Sequence, residues 1–497
     1  MSTKKKTTKR KTTKAKPKAC RKKLHSRRSS TPRLGSPRRS APTRGPGKRP
    51  DLDRRLMAAQ TVDDAVRVLN ERHFIIRVGT TYVVGEERPH EPLRLLPFEE
   101  FKKRYLPYRF QVSPRCWMPL GSLYVSRAAR RLYDGDLVFR PPGCPEATGP
   151  QDYNVWTGLA VEPKVGDWSR LQAHLFENLC RRQETDYEYL LNWLALGVQQ
   201  PGRLPGVAVC MHGAEGTGKS ALFAWYSALF PRQHTVQITH PRHLTGHFNV
   251  LLSGRVVVFA DEAYFAGDKA AIGALHGLIT EPRLVVERKY IDPSEVNNCT
   301  HLMIASNHDW IVHASKHARR YFVLKVADTH KQDHAYFDAI TAQQNHGGRE
   351  AMLYDLLHRD LRAFNPLAVP KTEGLRDQIA WSLQPHEAWW KERLMEASTR
   401  TWQTEIGKKE LHQDYIDWMR KLQRGYPITL EQLSKYLVSF YGAGILRRVR
   451  AGGRQQHVYA LPPLGDCRQK FDPGESWPEE PTLPAQVLTM LRRKVTR

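Results

Sequence analysis

The residues Gly213-Ala214-Glu215-Gly216-Thr217-Gly218-Lys219-Ser220 fit the spacing G-x-x-x-x-G-K-[ST] in full. That spacing makes a phosphate cradle. Glycines let successive backbone N–H groups turn inward around phosphate oxygens, and a following helix adds its positive N-terminal end. Lys219 is placed to reach the β- and γ-phosphates of a bound nucleotide, and Ser220 to hold Mg²⁺. The run Val256–Ala260 leads into Asp261-Glu262. Acids at the C-terminal end of a parallel strand face the same phosphates. Asp261 would support Mg²⁺, and Glu262 would polarise an attacking water as general base.

Further polar residues follow at strand ends. His301–Ser306 reads as a strand ending at Asn307, whose amide could bond a γ-phosphate or the lytic water. Arg319-Arg320 precede the apolar run Tyr321–Val326. An arginine of this kind, offered to a neighbouring subunit's γ-phosphate, would stabilise transition-state charge.

These groups need a scaffold. Val207–Met211 reads as a strand into the loop and Ala221–Tyr226 as a helix out of it. Residues 206–330 alternate apolar strands with helices, the pattern of an α/β nucleotide-binding core. Residues 151–205 read as a helical segment before it, and 331–404 as a helical region after it. Residues 51–150 form a small mixed region, with a helix over 62–70 and a hairpin around Gly79. Its Asp134-Gly135-Asp136 could pair on a metal, but no third carboxylate accompanies it, and a turn before a strand is expected.

Charge divides the chain. Residues 1–50 hold 20 Lys or Arg and no acid, whereas the other 447 residues hold 58 basic and 50 acidic. The tail lacks the apolar content to offset chain entropy and is expected to be disordered, a clamp for a polyanion such as nucleic acid. It has no apolar h-region of a secretory signal, and no run of about 18 apolar residues occurs, so no membrane partner is expected. The seven Cys show no C-x-x-C pair, which fits a reducing compartment. The histidines 234, 240, 243 and 247 lack a completing Cys or carboxylate, so zinc is not expected.

Residues 405–470 read as winged-helix-like. Leu411–Met419 and the segment capped by Thr429 form helices, and 446–450 with 456–460 form a hairpin turned by Gly452-Gly453. Arg447, Arg448, Arg450 and Arg454 make that wing basic, which suits DNA phosphates. Residues 471–497 are a C-terminal tail whose Pro-rich start, 471–485, reads as a loose connector.

The composite resembles superfamily-3 helicases, and in particular the helicase domain of phage primase-polymerases. The residues that carry this are the loop itself, Leu244–Asn249, Ala260–Ala263, Gly267-Asp268-Lys269, Leu278–Pro282, Ala305-Ser306-Asn307, Trp310 and Arg319–Phe322. Asn154–Gly158 and Leu190–Pro201 extend it to about residue 130 on the N-terminal side. The resemblance implies an AAA+-like P-loop core with a helical N-terminal extension. It also implies a homo-hexameric ring that hydrolyses ATP with Mg²⁺ at subunit interfaces and moves along single-stranded DNA or at a duplex fork. A hairpin in the ring channel would carry Arg288 and Lys289 to the strand's phosphates. No polymerising domain precedes the core, so priming is expected of a separate primase or polymerase. The cytoplasm of a bacterial host follows from the same resemblance. Two other functions fit the same residues: another ring-forming remodelling or packaging ATPase, and a DNA-binding protein switched by nucleotide.

Overall fold

The computed structural model describes residues 50–478 apart from 89–90, 241, 247–248, 263–268, 289–290, 317, 423–424, 452–453 and 476. The basic tail before residue 50, His247, Ala263, Gly267-Asp268, Lys289, Gly452-Gly453 and residues 479–497 therefore lie outside the described residues. The chain divides into two units after residue 54: before it only the start of the helix Pro50–Ala58 is described, and the described part of residues 55–497 holds everything below.

The centre of the second unit is a five-stranded sheet built from β1 (Ala208–His212), β2 (Thr235–Ile238), β3 (Val257–Asp261), β4 (His301–Ser306) and β5 (Tyr321–Lys325). Its order is β5-β1-β4-β3-β2, and every pairing is parallel. The strands are almost continuous apolar runs because both faces are covered. Alternate residues serve alternate faces. Val209, Met211, Phe259, Met303 and Phe322 pack with Trp193 and Leu194 of the helix Glu184–Gln199. Ala208, Cys210, Val258, Ile304 and Val323 pack with Leu275 and Leu278 of the helix Lys269–Thr280. The result is a mixed α/β fold with helices on both sides of a parallel sheet.

The order of the strands opens a crevice. The chain leaves β1 toward β2 at one edge, while β4 feeds β5 on the other side of β1. Loops after the neighbours β1 and β4 therefore diverge at the C-terminal ends of the strands, the position where open α/β sheets take ligands.

Before the sheet, Thr61 and Asp64 form a capping box on the helix Val62–Asn70. The hairpin His73–Val78/Thr81–Glu86 turns at Gly79. Asp134-Gly135-Asp136 is not a turn before a strand: it lies inside the strand Leu132–Val138, parallel to His73–Val78. Pairing overrides the poor strand propensity of Asp and Gly. Gly135 donates its N–H to the Gln151 carbonyl at 2.9 Å, and Asp136 pairs with Arg77 at 3.1 Å. Among the described residues no group of three metal-ligating side chains occurs.

After the sheet, the short strand Glu405–Gly407 leads into helices Lys408–Lys421 and Leu430–Tyr441, then strands Leu446–Ala451 and Arg454–Ala460. Thr429 caps the second helix through a capping box with Gln432. The core of this part begins before residue 405, because Trp389, Trp390 and Leu394 of the helix Pro385–Glu396 pack with Tyr415, Leu437 and Tyr459. It also extends past residue 470, where Phe471 packs against Trp477 at 6.1 Å between ring centroids. Phe471 and Trp477 thus belong to this core, while 479–485 of the expected connector lie outside the described residues.

Candidate functional site

The loop 213–218 joins β1 to the helix α1 (Lys219–Ser227). Gly216 and Gly218 take φ of 76° and 89°, left-handed values that a side chain resists. Gly218 has a second constraint. A Cβ there would stand 2.6 Å from Phe337 Cε1 and 2.8 Å from His174 Nε2. The floor of the loop is thus closed by side chains from two other segments.

Lys219 begins α1 and is buried, 6% exposed. Its ammonium donates to the carbonyls of Gly213 at 2.8 Å and Ala214 at 2.6 Å. Burial pulls its pKa below the usual lysine value, against the pull of Asp261, Asp328 and Glu215. Ser220, the next residue, directs its hydroxyl to Asp261, 3.2 Å from Oδ1 and 3.4 Å from Oδ2. Asp261 ends β3, and Gln237 of β2 donates to its Oδ2 at 2.9 Å. Glu262 follows, exposed, with φ of 53°. A non-glycine in that region carries strain of about 1–3 kcal/mol, typical of functional positions.

Asn307 follows β4, between β1 and β3, and is exposed. Lys219, Ser220, Asp261, Glu262 and Asn307 therefore converge at one sheet edge. Arg319 and Arg320 do not join them. They lead into β5, and the Arg320 carbonyl accepts from Ala208 N–H at the start of β1. The length of β1, about 13 Å, separates that edge from the loop. Within one chain these arginines cannot reach a phosphate held at Lys219.

The residues Arg283–Arg288 and Ile291–Asn297 form an antiparallel hairpin. Asn249 ties it down, donating to the Val285 carbonyl at 2.8 Å and accepting from Glu287 N–H at 3.1 Å. Arg288 ends the first strand opposite Ile291, but its side chain, like that of Arg454, lies outside the described residues. Arg447, Arg448 and Arg450 are exposed on the Leu446–Ala451 strand.

Several supporting residues carry no sequence signal of their own. Asn178 donates to the Thr217 carbonyl at 2.8 Å, and Gln332 N–H donates to the Gly216 carbonyl at 3.0 Å. His174 and Asn178 both lie on a π-helical turn, His174–Leu179. Such turns re-aim side chains at functional sites. Burial holds the His174 pKa down at about 4, so its imidazole is neutral beneath the loop.

A family described as "Family of unknown function (DUF5906)" matches residues 211–320, from the end of β1 to the arginine pair. No curated protein matches the chain. Among solved structures, the apo C-terminal region of NrS-1 superposes with a TM-score of 0.59 at 17% identity, covering 80% of this chain and 98% of that one. Its A-form apo structure gives 0.60 at 16% identity, with the same coverage. At that identity the likeness is one of fold, and it reaches well beyond the matched 110 residues.

Proposed function

We propose that the protein is an ATP-driven DNA helicase or translocase acting in the replication of a phage or mobile element. The observation that carries this reading is the convergence of Lys219, Ser220, Asp261, Glu262 and Asn307 at the C-terminal ends of three adjacent parallel strands. The core would be a P-loop NTPase of AAA+-like form, and the unit after residue 385 a winged-helix-like module.

The side chains present fit a nucleotide with Mg²⁺. Two loop carbonyls hold the buried Lys219 ammonium, poised to exchange them for phosphate oxygens. Ser220 and Asp261 put a hydroxyl beside a carboxylate, the hard oxygen pair that Mg²⁺ takes with water and phosphate. Bound there, the ion would neutralise charge on the β- and γ-phosphates. Backbone N–H groups of 216–220 would orient the phosphates, Glu262 would accept a proton from the attacking water, and Asn307 would align it. Arg319 or Arg320 would serve the site of a neighbouring copy, which is why the reading includes a ring. The 283–297 hairpin, with Arg288 and Lys289, would track one strand of DNA. The basic wing and tail would hold DNA nearby.

ATP hydrolysis with and without single-stranded DNA, in the full chain and in Lys219→Ala, tests the reading. DNA-stimulated turnover that the substitution abolishes is expected. Turnover indifferent to DNA would favour a packaging or remodelling motor instead. Glu262→Gln should keep ATP binding and lose unwinding; a nucleotide-switched binder would be little affected by it.

A further inference from the structure

Residues 101–133 contain eight Lys or Arg and no Asp or Glu. Residues 51–497 as a whole have 58 cations and 50 acids, so this stretch carries as much net charge as all of that part together. Lys103, Arg109, Arg115, Arg127 and Arg130 form no ion pair among the described residues.

The middle of the stretch is a hairpin, Arg109–Ser113 against Cys116–Pro119. Its two faces differ. Phe110 and Met118 oppose each other and are half-buried. Gln111 opposes Trp117 on the other face, together with Arg109, and all three are exposed. Trp117 is 54% exposed, a high value for the largest apolar side chain. Arg109 Nη2 donates to the Trp117 carbonyl at 3.0 Å, which ties the guanidinium to the backbone of the residue that carries the indole.

The base of the hairpin is fixed. Leu120 N–H donates to the Tyr108 carbonyl at 2.7 Å, and Tyr124 of the following helix donates to the His73 carbonyl at 2.8 Å. The outward face is therefore presented on a rigid mount. An aromatic side chain flanked by unpaired cations is the pairing that binds an unstacked base and its phosphates. Protein-docking faces also favour Trp and Arg, so what points to a polyanion is the run of cations around this face with no acid among residues 101–133. We infer that the 109–119 hairpin is a contact site for single-stranded nucleic acid, with Trp117 stacking on a base and Arg109 and Arg115 on flanking phosphates. The site lies outside the ATPase core and stands on geometry and charge independently of the proposed motor activity.

The test is photo-crosslinking of the full chain to a dT oligonucleotide carrying 5-iododeoxyuridine, with peptide mapping. The label is expected at Trp117. Trp117→Ala should weaken binding about tenfold, and Trp117→Phe should restore most of it. Arg109→Gln with Arg115→Gln should lower the slope of log K against log salt by about 1.4, a local change superimposed on the tail's contribution. Oligo(dT) and oligo(rU) should label Trp117 alike, because stacking and phosphate contacts read neither sugar nor base. Lys219→Ala should leave the label in place, which separates this site from the ATPase. Labels confined to other residues, with Trp117→Ala binding within about twofold of the parent, would overturn the inference. So would a Trp117→Ala protein that changes its oligomeric mass while binding the oligonucleotide as before.

Discussion

The Ser220 hydroxyl lies 3.2 Å from Asp261 Oδ1, although 41 residues separate them in the chain. α1 starts one residue earlier at Lys219, and β3 ends at Asp261. The helix start and the strand end thus meet across the intervening β4. Gln237 completes the arrangement by donating to the same carboxylate at 2.9 Å. Held at Oδ2 from β2, Asp261 is restrained beside Ser220.

Under the proposed function, this geometry sets an order of severity for Mg²⁺ dependence. Asp261→Asn should abolish hydrolysis at any Mg²⁺ concentration. Ser220→Ala should be partly rescued by excess Mg²⁺. Gln237→Leu, which only frees the carboxylate, should raise the Mg²⁺ requirement by about 10-fold with little change in maximal rate. Titrating Mg²⁺ at saturating ATP measures all three. Equal effects of Gln237→Leu and Asp261→Asn would contradict a supporting role for Gln237.

Gly218→Ala should damage the loop twice over. The added Cβ meets the strained φ of 89° and the rings of His174 and Phe337. Destabilisation of about 1–3 kcal/mol is expected. Nucleotide affinity should fall further than stability, because the backbone N–H groups around residue 218 would move. Denaturant melts alongside nucleotide-binding isotherms separate the two losses. A variant that binds nucleotide normally would show that the floor of the loop yields.

Much of this site is legible in the sequence, because adjacent residues carry it. The loop needs only its own glycines, lysine and serine at fixed spacing, and Asp261 needs only an apolar run before it. His174 and Asn178 are a different case. They sit about 40 residues upstream in an apolar helical run, and only a π-helical turn aims them at Gly218 and Thr217. No periodicity announces that turn. Arg319 and Arg320 are recognisable as a pair, but which sheet edge they occupy depends on the direction of β5. Asp134-Gly135-Asp136 misleads because local propensity points to a turn and only pairing with His73–Val78 makes it strand. The fold itself is easier to read, since strands buried on both faces must be continuously apolar.

Acid should unfold the core through its buried histidines. Burial depresses the pKa of His174, His212 and His301 to about 4, from an ordinary value of 6.5. Above pH 6.5 both folded and unfolded states hold them neutral, and they cost nothing. As pH falls below 6.5 the unfolded chain takes up protons that the folded chain refuses. Stability is therefore lost from about pH 6.5 down to about pH 4, by up to about 3 kcal/mol for each histidine. His212→Gln should flatten that limb in denaturant melts from pH 7 to pH 4.5. An unchanged pH profile in that variant would mean that His212 is protonated at its ordinary pKa in the folded protein.

The basic strand after residue 446 gives a separable prediction, since it is remote in sequence from the loop. Arg447, Arg448 and Arg450 are exposed and form no ion pair among the described residues. Opposite them in register, Val458, His457 and Gln455 bring no acid. Charges so placed have only solvent or a polyanion to meet. Replacing all three with Gln should weaken duplex DNA binding and lower the salt slope by about 1.8, at about 0.9 for each phosphate contact of Arg448 and Arg450, which share one face of the strand. Basal ATP hydrolysis without DNA should be unchanged, because the substitutions do not touch the sheet edge that carries Lys219 and Asp261. If the slope stays constant while hydrolysis falls, the strand acts in packing the C-terminal module, not in holding DNA.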